Sequence, residues 1–348
     1  MSNPSFESVA VSQPVSDAPI AGHSRKHAPV FVLGSVRSGT TLLYHMILSA
    51  GGFAVYRSES HAINLLEPRF GDLSVLRNRE KLMDAWLDSK LFQVSGLQAE
   101  AIRRKVLGEC RNGGDFLRMV MEEIARDQGV ERWADCTPEH LLFLRRIKQT
   151  IPDALIIHII RDGRDVALSL EEQKWIRRLP WDRTRPLFAA GVYWEWMVRR
   201  GREEGRKLGN DYYEVRFENL IADPRSTLAS IGEFIEHDLD YDRILSNGIG
   251  SVNEPNSSFG KNASKEFHPV GRWKKALARE ELASLEAMIG DTLQGFGYPL
   301  VSSVHVKRGR SGLRRLRASY LTYFDLKLRL KTRTPLGRLF VTKDLSWL

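Results

Sequence analysis

The alternation of apolar and polar positions lays out an α/β chain before any chemistry is considered. An apolar, β-branched run from Val30 stops at Gly34. Four residues follow, and Gly39-Thr40-Thr41 opens an apolar segment that reads as a helix to Ala50, ended by Gly51-Gly52. Residues 53–59 begin apolar and turn polar, which predicts a second short strand. Over 79–92, 98–111 and 115–127 apolar residues recur at helical spacing, as in Phe116, Val120 and Ile124. This predicts a helical insertion within 71–130, placed to cover a site. Pro138 suits the first turn of a helix over 138–150. The run 154–160, Ala-Leu-Ile-Ile-His-Ile-Ile, is apolar on both faces, as a central parallel strand must be. Its polar end, Arg161-Asp162-Gly163-Arg164-Asp165, leads into a helix through Ser169.

Further along, the spacing predicts a long helix over 185–208 with Trp194 and Trp196, a strand over 212–217, and helices over 224–236 and 279–294. Residues 247–268 scatter Gly, Ser, Asn and Lys without a period and read as a long functional loop. Helix, buried strand, polar turn and helix is the order of a doubly wound, mostly parallel sheet. Its ligand crevice lies outside the carboxyl ends of the strands, where Arg161 would sit.

Composition adds limits. At 348 residues, 42% apolar and 27% charged, the chain reads as a soluble globular protein with no membrane span. Residues 1–28 are rich in Ser, Pro and Val, without a basic start and long apolar run, and are expected to be a disordered leader to a main domain over 29–300. Cys110 and Cys136 allow one bridge at most, so a reducing cytosol is the default compartment. The net charge of +9 invites a nucleic-acid reading, but residues 301–348 hold 12 Lys and Arg against 2 Asp and Glu. That leaves 40 basic and 41 acidic residues in the first 300, so the domain is neutral, nucleic acid is not expected, and the basicity belongs to a C-terminal extension.

The loop after the first strand has the spacing of a phosphate cradle, in which glycines let consecutive N–H groups and a helix N-terminus face one anion. Where a nucleotide-triphosphatase loop carries Lys after the second glycine, this chain has Thr40, and its cation lies inside the loop at Arg37. Arg161 and Ser169 form a guanidinium and hydroxyl pair suited to a second phosphate. The plainer reading makes Arg161 an edge cation paired to Asp162 or Asp165, and Ser169 an ordinary helix residue. A kinase would end the strand in a magnesium-holding acid. Arg161 stands there instead, though adjacent Asp162 keeps an ATP- and magnesium-dependent small-molecule kinase open.

These residues resemble the sulfotransferases that use 3′-phosphoadenosine 5′-phosphosulfate (PAPS). Val36 to Leu42, Val-Arg-Ser-Gly-Thr-Thr-Leu, is similar to that family's 5′-phosphosulfate loop. Ile160 to Val166, with Ser169 eight positions after Arg161, is similar to its 3′-phosphate motif. Phe217-Glu218-Asn219-Leu220 with Asp223-Pro224, and Gly271-Arg272-Trp273-Lys274, resemble two further signatures in the right order. The resemblance implies a P-loop-like α/β fold, PAPS as co-substrate without a metal, and sulfuryl transfer to a hydroxyl or amine. It assigns donor contacts to Arg37, Ser38, Gly39, Thr40, Thr41, Leu42, Arg161, Ser169 and Phe217, with the Ser38 to Thr41 amides on the 5′-phosphate. Arg37 is more like the tyrosylprotein and bacterial branches, since cytosolic members usually place Lys in the loop. The Arg-Lys-Gly triplet that grips the 3′-phosphate in cytosolic members is absent before Val270, and Lys261, Lys265 or His268 are the candidates to replace it.

A base in line with the sulfur should lie just beyond the strand that follows the loop helix. Glu59-Ser60-His61-Ala62-Ile63 occupies that place and resembles the tyrosylprotein branch, which makes Glu59 the general base. His61 competes, because its ordinary pKa suits the role. The acceptor, whether small molecule, carbohydrate, lipid or peptide, is not readable, nor is the oligomeric state. In the tail, residues 312–331 form a basic amphipathic helix. It either docks on an anionic membrane surface or packs on the core with a solvated basic face, the reading that has the edge. A non-catalytic anion-binding membrane adaptor stays as an alternative from outside enzymology.

Overall fold

The β-branched runs pair side by side in a four-stranded, all-parallel sheet. The computed structural model describes residues 25–254, 268–302 and 310–334. Strands β1 (Val30–Leu33), β2 (Ala134–Asp135), β3 (Leu155–Ile160) and β4 (Tyr212–Arg216) stand in the order β2-β1-β3-β4. Val30 lies opposite both Ala134 and Leu155, and Ile160 opposite Arg216, so the carboxyl ends of β1 and β3 open on one edge. Every residue of β1 and β3 is buried, as strands covered on both faces require.

Period-two alternation divides the core between the two faces. Phe31, Leu33, Ile156 and Ile160 face a cluster with Trp86, Phe116 and Trp194. Val30, Val32, Leu155 and Ile157 face a second with Leu43, Ile47, Leu228 and Ile231. The covering helices are α1 (Thr40–Ser49), α2 (Leu76–Leu87), α3 (Ala99–Glu109), α4 (Gly113–Asp127), α5 (Leu144–Thr150), α6 (Gly163–Glu172), α7 (Pro186–Gly205), α8 (Pro224–Ile235), α9 (Arg279–Gly295) and α10 (Arg310–Arg333). Asn112 caps α4 through the Asp115 amide, and Asp223 caps α8 through the Ser226 amide.

Several expectations need correction. Residues 53–59 are not a strand: Phe53 makes an isolated bridge to Arg132, and the Ala54 amide bonds the Arg132 carbonyl at 2.7 Å before the chain becomes irregular. β2 went unforeseen because two residues carry no period. The helix expected over 79–92 breaks at Ser89, whose amide bonds back to Trp86, and the one over 138–150 begins as a 3-10 turn, Pro138–Phe143. Of the long loop 247–268, a 3-10 turn at Gly250–Val252 lies in the described part. The end of the expected leader is also described: Arg25 Nη1 donates to the Phe234 carbonyl at 2.8 Å.

The C-terminal helix packs on the domain. Tyr320 and Phe324 of α10 are buried. The Tyr320 hydroxyl donates to Asp182 at 2.6 Å and accepts from the Leu179 amide at 3.0 Å. Arg317 Nη2 reaches Glu195 on α7 at 2.6 Å. Among the described residues no helix is long and apolar enough to cross a membrane.

Candidate active site

The loop between β1 and α1 owes its shape to two close approaches. A Cβ at Gly34 would lie 2.5 Å from the Ile159 carbonyl oxygen, so β1 could not turn this close to β3 with a side chain there. Gly39 caps α1 at φ 94°, and a Cβ on it would meet the Phe217 ring at 2.3 Å. Arg37 itself sits in the left-handed region at φ 70°. The Ser38 amide is spent on a turn to the Ser35 carbonyl at 3.1 Å, which removes it from the expected set of phosphate donors. Its hydroxyl is buried and, among the described residues, has no hydrogen-bond partner. The first helical bond runs from Leu43 to Gly39, so the amides just before Leu43 lack intrahelical partners. Thr40 is buried, Thr41 exposed, and Leu42 packs partly into the core.

Cations converge beside this loop. Arg37 Nε donates to Ser169 Oγ at 2.9 Å, and the guanidinium lies 5.5 Å from the Trp175 ring. Arg161, almost fully buried, donates through Nη1 to the Arg37 carbonyl at 2.9 Å and through Nη2 to the Pro269 carbonyl, over the Phe217 ring at 4.7 Å. Burial and then the charge of Arg161 push the Arg37 pKa down, Glu172 opposes this, and Arg272 adds to the lowering. For Arg161, burial again leads the lowering and Arg272 contributes, against the carboxylates of Asp165, Glu218 and Asp162. Arg37 is thus repelled by Arg161 and by Arg272, the latter already paired with Glu172, in a site of reduced dielectric, an electrostatic condition that an anion relieves.

The acids near Arg161 do other work. Asp162 accepts from Arg164 Nη2 at 2.7 Å and from the Trp273 indole at 3.1 Å. Arg164, buried against Trp273, also reaches Glu286 at 2.6 Å. Asp165 accepts from the Gly271 amide at 2.7 Å and the Trp273 amide at 3.0 Å, which fixes Arg272 beside the loop. Asp162 is bound up with Arg164 and Trp273, while Asp165 remains the leading carboxylate charge acting on Arg161, as the plainer reading had allowed.

Across the loop lies Glu59. Its carboxylate is 45% exposed and stands 3.3 Å from His61 Nε2, which is 17% exposed. Glu59 adds to the rise in the buried Cys136 thiol's pKa, after burial itself, and the Thr40 side chain opposes that rise, so the acid and the start of α1 act on the same thiol. A buried network holds this segment. Thr137 Oγ1 accepts from the Ser60 amide at 3.0 Å and the His61 amide at 3.4 Å, and donates to Asp135 Oδ1 at 3.2 Å. His140 Nδ1 lies 2.8 Å from Asp135 Oδ2, and its Nε2 accepts from the Ile63 amide at 3.3 Å, which puts the ring proton on Nδ1. Burial raises the Asp135 carboxyl, but His140 and the hydroxyl and amide donors outweigh it and hold the group below its ordinary range. Glu139 sits nearby, bonded by Asn64 Nδ2 at 2.9 Å and 3.7 Å from Lys331 of α10.

The profile of the sulfotransferase family matches residues 29–242, which is more than half of the chain. The chain belongs to the sulfotransferase family. Among solved structures, this sulfotransferase is similar to the sulfotransferase domain of the Synechococcus PCC 7002 olefin synthase, with 19% identity, TM-score 0.49, and 85% of this chain and 94% of that one covered. It is also similar to the sulfotransferase domain of the curacin biosynthetic pathway, with 14% identity, TM-score 0.47 and coverage of 85% and 97%. A third is retinol dehydratase in complex with androsterone and the inactive cofactor PAP, with 16% identity, TM-score 0.39 and coverage of 80% and 83%. Family membership rests on the profile match. No curated protein matches the sequence. Family membership sets aside the kinase and the adaptor.

Within the sulfotransferase site, Arg37, Ser38, Gly39, Arg161, Ser169 and Phe217 come together around the loop, and Glu59 with His61 flanks its other side. Ser169 is met by Arg37, a pairing no spacing foretells. Lys261 and Lys265 lie outside the described residues, and His268 is exposed. Sequence reasoning passed over Thr137, Asp135 and His140. The run Asp135-Cys136-Thr137-Pro138-Glu139-His140 offered one signal, a cluster of polar residues entering a helix between apolar segments.

Proposed function

We propose that this sulfotransferase moves the sulfuryl group of PAPS to a hydroxyl or amine of its acceptor, with Glu59 as general base. The observation that carries the reading is the loop itself, where Arg37 bonds Ser169, Arg161 bonds the Arg37 carbonyl, and the buried Ser38 hydroxyl has no partner among the described residues. That donor set fits a ligand with two phosphate-type anions and needs no metal. PAPS supplies an activated sulfuryl group whose departure leaves negative charge on the 5′-phosphate.

Arg37, the Ser38 hydroxyl and the Gly39 to Thr41 amides meet that charge as it develops. Preorganised donors of this kind are worth about 3 kcal/mol each in the transition state. Arg161 takes the 3′-phosphate, with Ser169 shared between it and Arg37. Glu59 accepts the acceptor's proton as the new S–O or S–N bond forms, and 3′,5′-adenosine diphosphate leaves. Glu59 is the more reachable of the two candidate bases, and His61, in contact with its carboxylate, orients it.

Radiolabelled sulfate transfer from PAPS to a panel of lipid, carbohydrate and phenolic hydroxyls tests the assignment. Glu59→Gln is expected to lose about 10²–10⁴ in rate while still binding 3′,5′-adenosine diphosphate. A Glu59→Gln enzyme of wild-type rate, with His61→Asn inactive, would hand the role to His61.

A further inference from the structure

Between α6 and α7 the chain runs through Lys174-Trp175-Ile176-Arg177-Arg178-Leu179-Pro180-Trp181-Asp182-Arg183, a segment that the sulfuryl-transfer reading leaves without a role. Its two indoles are on the outside: Trp175 is 54% and Trp181 65% exposed. Lys174, Arg177, Arg178 and Arg183 are exposed as well, and the segment's one acid, Asp182, is buried against the Tyr320 hydroxyl, where the charge of Arg178 acts on it. The segment is not a loose loop. Leu179 and Asp182 are buried, and both bond the hydroxyl of Tyr320, which fastens the segment to α10.

The helix it is fastened to has the same surface chemistry. α10 buries Tyr320 and Phe324 and leaves Arg314, Arg315, Lys327 and Arg329 exposed, with Tyr323 at 40% and Leu326 at 53%. Its one acid, Asp325, is engaged by Arg200 and the Trp196 indole. Exposed cations whose two acids, Asp182 and Asp325, are both engaged by other side chains, interleaved with exposed indole, phenol and leucine side chains, run from one element to the other. A solvated basic face accounts for the cations but gives no reason to expose two tryptophans. Amphipathic aromatic rings belong at the boundary between water and hydrocarbon, and cations belong opposite lipid phosphates. Nucleic acid would match the charge but not Leu326. The surface also borders the donor loop, since the ring of Trp175 lies 5.5 Å from the Arg37 guanidinium.

We propose that residues 174–183 and the outward face of α10 form one docking surface for an anionic phospholipid bilayer, which holds the Arg37 loop at the level of the lipid headgroups. The attraction is electrostatic with a shallow aromatic anchor, so it weakens with salt.

The full chain is floated with phosphatidylcholine vesicles and with vesicles that also contain phosphatidylserine. The expected result is recovery with the anionic vesicles alone, reduced at high salt. The double variant Arg177→Gln/Arg183→Gln is expected to partition about 25-fold less, at about fivefold for each charge near the surface. Trp181→Ser should weaken flotation while leaving its salt dependence in place. Unchanged thermal midpoints and unchanged 3′,5′-adenosine diphosphate affinity show that these exposed positions have not disturbed the fold or the donor site. Equal recovery with neutral vesicles, undiminished flotation of the double variant, or tight binding to RNA with none to anionic vesicles would each overturn the proposal.

Discussion

Thr137→Val removes one hydroxyl and keeps the branched shape of the side chain. That hydroxyl is fully buried and makes four contacts: it accepts from the Ser60 and His61 amides at 3.0 and 3.4 Å, donates to Asp135 at 3.2 Å, and lies 3.3 Å from the Ser60 hydroxyl. A buried N–H left without a partner costs about 1–3 kcal/mol, and each ordinary hydrogen bond contributes about 1 kcal/mol, so a loss of roughly 2–4 kcal/mol in stability is expected. The consequence for catalysis is separate from the loss of stability, because these bonds hold the backbone on which Glu59 and His61 stand. A displacement of about 1 Å in a reacting group costs on the order of 10²-fold in rate. The donor side should be spared, since Arg37, Arg161 and Ser169 are tied to each other and not to Thr137. The assay pairs radiolabelled sulfate transfer with calorimetric binding of 3′,5′-adenosine diphosphate. The expected pattern is a rate reduced about 10²-fold at unchanged nucleotide affinity, restored in Thr137→Ser, which keeps the hydroxyl. A Thr137→Val enzyme of wild-type rate would refute the positioning argument. So would a Thr137→Ser enzyme as impaired as the valine variant.

Two further outcomes follow from the geometry. Gly39→Ala puts a methyl 2.3 Å from the Phe217 ring at a φ of 94°. Left-handed strain and overpacking together are worth about 2–5 kcal/mol, so a lower thermal midpoint and loss of nucleotide binding are expected, and intact binding would separate the loop from the donor. His158 is buried and its pKa is pushed down to about 4, chiefly by burial. Because the unfolded chain takes up the proton first, this stability is complete above about pH 6.5 and drains away as pH falls toward the folded value, by about 3 kcal/mol in all. His45 shifts the same way, to about 4, through burial and then Arg57. Urea unfolding across that window should show a shallower pH dependence in His158→Gln, and an identical slope would contradict the assignment.

What was legible in the sequence was local. The strand, loop and helix around Arg37, and the buried strand ending at Arg161, are written in short-range spacing, and the structure has them as β1, α1, β3 and α6. What was hidden depended on partners far along the chain. Phe53 looks like a strand start, but its partner is Arg132, and the pairing stops at one bridge. Thr137 and His140 reach back more than seventy residues to the Glu59 segment through buried hydrogen bonds that leave no period. Asp162 reads as a metal ligand from its place after a strand until Arg164 and Trp273 are seen to take its oxygens. The sequence left the C-terminal helix between a membrane surface and the core, with packing on the core favoured, but did not say where on the core it would sit. Tyr320 and Phe324 bind it to the core, and only Tyr320's bonds to Leu179 and Asp182 bring its basic face beside a second one.

The central claim is that the Arg37 loop is built for a phosphosulfate donor. Calorimetric titration of 3′,5′-adenosine diphosphate into the wild-type chain and into Arg37→Ala, in buffer with a metal chelator, tests it most directly. The account predicts saturable binding that the chelator leaves untouched and that Arg37→Ala weakens by about 10–10²-fold, the value of a charged hydrogen bond. Binding that needs a divalent metal, or equal affinity in the two proteins, would contradict it.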